Sequence, residues 1–212
     1  MPIKDKIEQE KLRKKKTSKK EQKEKNISKE EYLDREAVAE TKSEYHNGKI
    51  VAMAGAQEIH NRIVGNLIIR LGMCLLEKEC QVYPSDFLVY IPECDDYFYP
   101  DITVVCDNVE IAEEKRKGLD VLLNPKIVIE VSSKSTAEYD LSEKMKCYLK
   151  LNSLQNYVVV SSENKLVIVY TRDKDGDFKV KTYSEEDAVI GECKIKLEDI
   201  YRKIGFKAEE EK

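Results

Sequence analysis

No apolar run in the 212 residues approaches the roughly 20 that a membrane helix needs. Met1 to Lys25 is charged and holds no hydrophobic stretch, so no secretory signal is expected. Cys-x-x-Cys is absent, and only His46 and His60 supply imidazoles, which argues against a structural zinc site. Gly-x-Ser-x-Gly and Gly-x4-Gly-Lys-Ser/Thr are also missing, which excludes a hydrolase elbow and a P-loop. The six cysteines, Cys74, Cys80, Cys94, Cys106, Cys147 and Cys193, read as mostly reduced and buried, in a cytoplasmic protein without membrane association.

What is present suits a folded domain. Apolar residues are 41% of the chain and charged residues 37%, so a core can be buried despite the high charge. The length allows one domain, or at most two small ones. The formal charge of −4 excludes a uniformly basic coat for nucleic acid, though not a local patch. Charge is also uneven. Residues 1–30 hold 12 Lys/Arg and 6 Asp/Glu, leaving 25 and 35 for the rest. Residues 1–27 thus read as a Lys-rich extension, helical or disordered, serving as a solvated tail or a phosphate-contacting arm. Residues 28–205 read as a single domain and 206–212 as a charged tail.

Ser28 and Glu31 have capping-box spacing, which predicts a helix from Lys29 to about Ala39. Asn47-Gly48 between Ser43–His46 and Lys49–Ala54 predicts a hairpin, because both turn positions need positive φ. Ile59, Ile63, Val64, Leu67, Ile68, Leu71, Cys74 and Leu75 recur at helical spacing and predict the longest helix, Gln57 to about Glu77. Strands are predicted over Val82–Ile91, Ile102–Cys106, Lys126–Ser133, Asn156–Ser161, Lys165–Thr171 and Phe178–Tyr183. A charged loop spans Asp107 to Asn124, a helix runs from about Ala137 to Leu151, and Asp175-Gly176 turns the last hairpin. The order indicates an α/β or α+β domain with a mixed sheet flanked by helices.

Chemistry concentrates between Pro100 and Lys144. Asp101 heads an apolar strand, and Glu130 sits inside another between Ile129 and Val131. A carboxylate there is costly unless paired or bound to metal. Two carboxylates on neighbouring strands suit Mg²⁺, which takes oxygen ligands and usually needs only one or two protein carboxylates beside water and phosphate. Lys134 and Lys144 are the nearby cations, and Lys144 borders the apolar stripe Leu141, Met145 and Tyr148. Structural readings stand beside these: Asp101 as a turn cap, Glu130 as an ion-pair partner of Lys144, Asp140 with Lys144 as a helix-surface pair.

Several runs then agree with one family in order and spacing. They are Ser43-Glu44-Tyr45 with Asn47-Gly48-Lys49-Ile50-Val51-Ala52-Met53-Ala54-Gly55, and His60-Asn61-Arg62-Ile63-Val64-Gly65-Asn66-Leu67. Further on come Tyr99-Pro100-Asp101, Ile129-Glu130-Val131-Ser132-Ser133 with Ser135-Thr136, Asp140 with Glu143-Lys144, and Ser153-Leu154-Gln155 before Tyr157. From about Ile27 to Tyr170 the chain resembles the Uma-type restriction endonuclease family of the PD-(D/E)XK nuclease superfamily. The resemblance implies a restriction-endonuclease-like core with an acidic metal site at one sheet edge. Asp101 matches the Asp of the first element and Glu130 the acidic residue of the second. The superfamily's lysine would fall at Ser132. Uma-type sequences depart there too and carry a lysine matching Lys144, which takes that role as a migrated position. Glu44 matches an early acidic position, a further metal or water ligand, and His60 matches the family's histidine. His60 also shares a face with Val64, Leu67 and Leu71, as a core histidine would. Ser132 either lines the site or is an ordinary strand-end serine.

The function expected is a Mg²⁺-dependent DNA endonuclease, with Mn²⁺ as substitute, acting as a homodimer that gathers Arg62, Arg70, Arg116 and Lys117 along a cleft. The rival expectations are a catalytically silent nuclease-fold module binding nucleic acid or a protein partner, and a hydrolase of another phosphoester.

Overall fold

The computed structural model describes residues 26–206 except 54, 114–115 and 134–136. Most of the N-terminal extension, the end of the C-terminal tail, Lys134, Ser135-Thr136 and Ala54 therefore lie outside the described residues.

The first helix, α1 (Lys29–Glu36), starts as its cap predicts: the Glu31 backbone N–H donates to the Ser28 hydroxyl at 3.1 Å. It ends three residues earlier than expected. Strands β1 (Ser43–His46) and β2 (Lys49–Ala52) form the expected hairpin, Ser43 opposite Ala52 and His46 opposite Lys49. Asn47 and Gly48 turn it with φ of 51° and 77°, the pair of positive values such a turn requires. Helix α2 (Glu58–Leu75) follows, burying Ile63, Leu67, Leu71 and Leu75 at helical spacing.

The expected strand Val82–Ile91 is two strands in two sheets. Strand β3 (Cys80–Pro84) ends at a tight turn where the Asp86 N–H donates to the Pro84 carbonyl, and β4 (Leu88–Ile91) starts afresh. Pro84 has no N–H to extend a ladder, so the break falls beside it. Next come β5 (Asp96–Phe98), β6 (Ile102–Cys106), β7 (Val121–Leu122) and β8 (Ile127–Ser132). The expected helix 137–151 is interrupted at Leu141-Ser142, giving α3 (Ala137–Asp140) and α4 (Glu143–Tyr148). The rest is β9 (Asn156–Ser161), β10 (Val167–Arg172), β11 (Phe178–Tyr183), β12 (Ala188–Ile190), β13 (Cys193–Ile195) and α5 (Leu197–Ile200).

One sheet has the order β11-β10-β9-β8-β6-β3 and the other β2-β1-β5-β4-β7, with β12-β13 as a separate pair. Both larger sheets are mixed, because β8 pairs with β9, and β4 with β7, in parallel. The β8–α3–α4–β9 crossover supplies the parallel pair, as a parallel connection requires. Strand β8 is buried along its whole length, the mark of a central strand covered on both faces. Its Ile127, Ile129 and Val131 join the α2 side chains in one core, and its Val128 joins Tyr148, Leu151, Leu154 and Tyr157 in a second. Period two therefore assigns Glu130 and Ser132 to the face shared with Val128, toward α4.

The cysteines correct the expectation of mostly reduced, buried thiols. All six pair as Cys74–Cys193, Cys80–Cys106 and Cys94–Cys147. Partners stand 119, 26 and 53 residues apart, so only the fold brings them together. Cys80 and Cys106, for example, are directly opposite across β3 and β6. Only Cys147 and Cys193 are buried, and Cys74 is exposed. Among the described residues, no helix is long and apolar enough to cross a membrane.

Candidate functional site

Strand β8 delivers Glu130 into the space between the two sheets and α4. Its side chain is 5% exposed. Lys144, on the first turn of α4, meets it there from the opposite side. The Lys144 Nζ donates to Glu44 Oε1 at 2.7 Å and lies 3.0 Å from Glu130 Oε1. The second contact is off the hydrogen-bond direction, so Glu130 Oε1 is sealed from solvent and accepts no hydrogen bond. Glu44 comes from β1, and its Oε1 also accepts the Tyr99 backbone N–H at 3.0 Å. One ammonium thus bridges a carboxylate from each large sheet. The Phe98 ring, 5.4 Å from Nζ, covers it.

Asp101 sits just ahead of β6, whose Ile102 is opposite Ile129 of β8. Its Oδ2 accepts the Val131 N–H at 2.7 Å, standing in for the ladder carbonyl that β6 would offer one residue earlier. Its Oδ1 lies 3.0 Å from Nε2 of His60, which reaches over from the first turn of α2. His60 Nδ1 is buried without a hydrogen bond. Ser132 is buried two residues past Glu130, and its carbonyl accepts the Ser162 N–H.

The electrostatics follow from burial and from crowding of like charge. Burial raises the Glu130 carboxyl well above the usual carboxylate range; Lys144 opposes this, and Asp101, Asp140 and Glu44 add to it. For Lys144 burial works against the charge, but Glu130, Glu44 and Asp140 outweigh it and hold the ammonium protonated. His60 behaves likewise. Burial alone would lower it, yet the bond to Asp101 and the charges of Asp101 and Asp140 raise it.

The structure brings Glu44, Glu130 and Lys144 into one cluster and Asp101 with His60 into a neighbouring pair. Within one chain, Arg62, Arg70 and Arg116 pair with Glu58, Asp199 and Asp34. Asp140, weighed in sequence as a helix-surface residue, is buried at 6% exposure. Tyr139 and Tyr148 were missed. Each has a buried hydroxyl without a partner, and the charges of Glu44 and Lys144 act on Tyr139 while those of Glu130 and Glu44 act on Tyr148. Tyr148 was visible only as part of an apolar stripe, because periodicity does not report where a hydroxyl ends.

The donor set is of the type a hard divalent cation takes. Asp101 is partly exposed at 15%, and Glu130 Oε1, which accepts no hydrogen bond, faces the Lys144 ammonium. Oxygen donors, few in number, are what Mg²⁺ takes from proteins.

Mixed sheets flanked by helices, with carboxylates at adjoining strands, define a nuclease-like α+β fold. A crystal structure titled as a "putative nuclease belonging to DUF820", from Anabaena variabilis, shares that fold with a TM-score of 0.66. It is 19% identical, covering 82% of this chain and 97% of that chain. Residues 29–196 match the Uma2 family, described as "Putative restriction endonuclease", and the chain belongs to that family. Two Synechocystis relatives, the uncharacterized proteins sll1609 and slr1290, are 31% and 32% identical. Sll1609 aligns over 76% of this chain and 89% of its own length, slr1290 over 85% and 94%.

Proposed function

We propose that the chain is a metal-dependent endonuclease that hydrolyses DNA phosphodiester bonds. The observation that carries this reading is Glu130. It is a carboxylate on a central strand, with a buried oxygen that accepts no hydrogen bond, beside Asp101. Asp101 and Glu130 hold Mg²⁺, for which Mn²⁺ substitutes. The bound ion polarises the scissile phosphate and lowers the pKa of its water. His60 and the Val131 N–H fix both oxygens of Asp101, as metal-binding carboxylates are usually fixed by their own hydrogen bonds. Lys144 opposes the rise that burial imposes on the Glu130 carboxyl, and Glu44 anchors Lys144. Ser132 lines the same face of β8. A cut on both strands suits a two-fold homodimer. Exposed Ile69 and Met73 on α2, with Leu76 just past its end, give that dimer an apolar surface.

The test is cleavage of supercoiled plasmid and short single-stranded DNA with Mg²⁺, Mn²⁺ or EDTA, wild type beside Asp101→Asn and Glu130→Gln. Metal-dependent cutting lost in both variants supports the proposal. Folded protein that cuts nothing with any metal overturns it. A second reading, a silent nuclease-fold module, draws on one observation: Lys144 is 6% exposed and committed to two carboxylates. DNA retained on a filter without cutting favours that reading.

A further inference from the structure

A second set of ligands lies one helical turn along α4 from Lys144. Cys147 of α4, Cys94 in the β4–β5 turn and Asp96 at the start of β5 each offer a ligand atom, all within 4.8 Å of one another. Among the described residues no other three His, Cys, Asp or Glu converge in this way. Asp96 is 1% exposed. Its Oδ1 accepts the Asn47 N–H at 3.0 Å, and its Oδ2 lies 2.7 Å from His46 Nδ1. The same Oδ2 lies 3.4 Å from Cys147 Sγ. A disulfide sulfur has no proton to give, so that close approach gains the carboxylate nothing while Cys94 and Cys147 are bonded. It gains a great deal if the sulfurs are thiolates sharing a cation with it. Lys150 Nζ stands 3.5 Å from Cys94 Sγ.

We propose that Cys94, Asp96 and Cys147, when the Cys94–Cys147 bond is reduced, form a site for a thiophilic divalent cation such as Zn²⁺. Two sulfurs and a carboxylate are three protein ligands, which leaves the fourth tetrahedral position to water. Soft thiolates select zinc over magnesium, so the site differs in chemistry from the oxygen site at Asp101 and Glu130. His46 is not a ligand; it fixes the Asp96 carboxylate from the outside. The Cα atoms of Cys94 and Cys147 are 5.9 Å apart, so the sulfurs part by side-chain rotation. A dithiol reductant delivers two electrons and two protons, giving two thiols and becoming a disulfide itself. Cation binding then releases both thiol protons to solvent as the two metal–sulfur bonds form. Disulfide and metal exclude one another, and either one ties α4 to the β4–β5 turn.

The test uses the full chain, stripped of metal, reduced with a phosphine, and titrated anaerobically with Co²⁺ as a coloured probe. Reduced wild type is expected to give a thiolate-to-Co²⁺ charge-transfer band and tetrahedral visible bands that saturate at an equimolar ratio and disappear on adding Zn²⁺. Oxidised protein gives neither. Cys94→Ser/Cys147→Ser abolishes the bands, and His46→Phe weakens affinity by about 10- to 100-fold. Asp101→Asn/Glu130→Gln retains them. The proposal is overturned if reduced wild type with a native circular dichroism spectrum shows no thiolate band. It is equally overturned if the band survives in the double cysteine variant, since Cys74, Cys80, Cys106 or Cys193 would then be its source.

Discussion

Lys144 donates to Glu44 across the gap between the two large sheets, 100 residues apart in sequence and 2.7 Å apart in space. The helix after the central strand is thereby locked to the first hairpin. With Glu130 at 3.0 Å, this one ammonium lies within salt-bridge reach of two buried carboxylates.

Removing that cation leaves both carboxylates buried and uncompensated. Lys144→Met is expected to cost about 3–5 kcal/mol, the usual loss when one partner of a buried ion pair is deleted. The deficit depends on pH. Without Lys144 nothing opposes the rise of the buried Glu130 carboxyl, so the folded state holds an extra proton and stability falls as pH rises. Urea midpoints at pH 5 and pH 8 check this: the variant is expected to lie nearer wild type at the lower pH. A deficit that ignores pH would mean the loss is packing alone.

Glu130→Gln is expected to behave in the opposite way. Burial already disfavours the Glu130 charge, and Glu44 remains to pair Lys144 in the variant. The amide oxygen can still face Nζ. Stability should stay within about 1 kcal/mol of wild type, while metal-dependent cutting disappears. Melting curves beside plasmid assays separate the two effects. A large loss of stability would assign Glu130 a structural role instead.

Part of this was readable from residues alone. The apolar run Ile127–Val131 marks a buried strand with one misplaced carboxylate, and Asn47-Gly48 fixes the hairpin that carries Glu44, because turn chemistry and apolar runs are written in adjacent residues. The exchange between sheets at Pro84–Leu88 was not readable, since the strands on either side look alike and pairing partners are remote. The cysteine pairs and the burial of Asp140 failed for the same reason. Each depends on neighbours that the fold supplies, not on spacing.

His60 offers a titration that reports its carboxylate neighbour. With chelator present, its midpoint is expected above the ordinary 6.5, because the bond to Asp101 and the nearby negative charges outweigh burial. Asp101→Asn removes the largest opposing cause, so burial should then carry the midpoint below 6.5. The chain has only two histidines, and His60→Gln assigns the resonance in a two-dimensional NMR titration. A folded pKa raised above the unfolded value means the stabilisation is fully present below about 6.5 and is lost as pH rises through the folded value. An Asp101→Asn spectrum whose His60 midpoint does not fall would break the link between the two residues.

Metal should register as stability before any DNA is added. A cation that binds the folded chain and not the unfolded one stabilises by mass action, about 2.7 kcal/mol at a hundredfold excess over its dissociation constant. Relief of the repulsion that Asp101, Asp140 and Glu44 exert on Glu130 enters through a lower dissociation constant, so less metal is needed for the same gain. Wild type is therefore expected to melt higher in Mg²⁺ or Mn²⁺ than in EDTA, with the oxidised protein used so that the cysteine pairs stay closed. Asp101→Asn should lose most of the shift and Glu130→Gln nearly all of it, while both fold. Ionic strength is matched with NaCl, so simple screening, which acts alike on every variant, cannot imitate a shift confined to the two carboxylates. An equal shift in all three proteins would place the ion elsewhere and remove the support that metal binding gives to these residues.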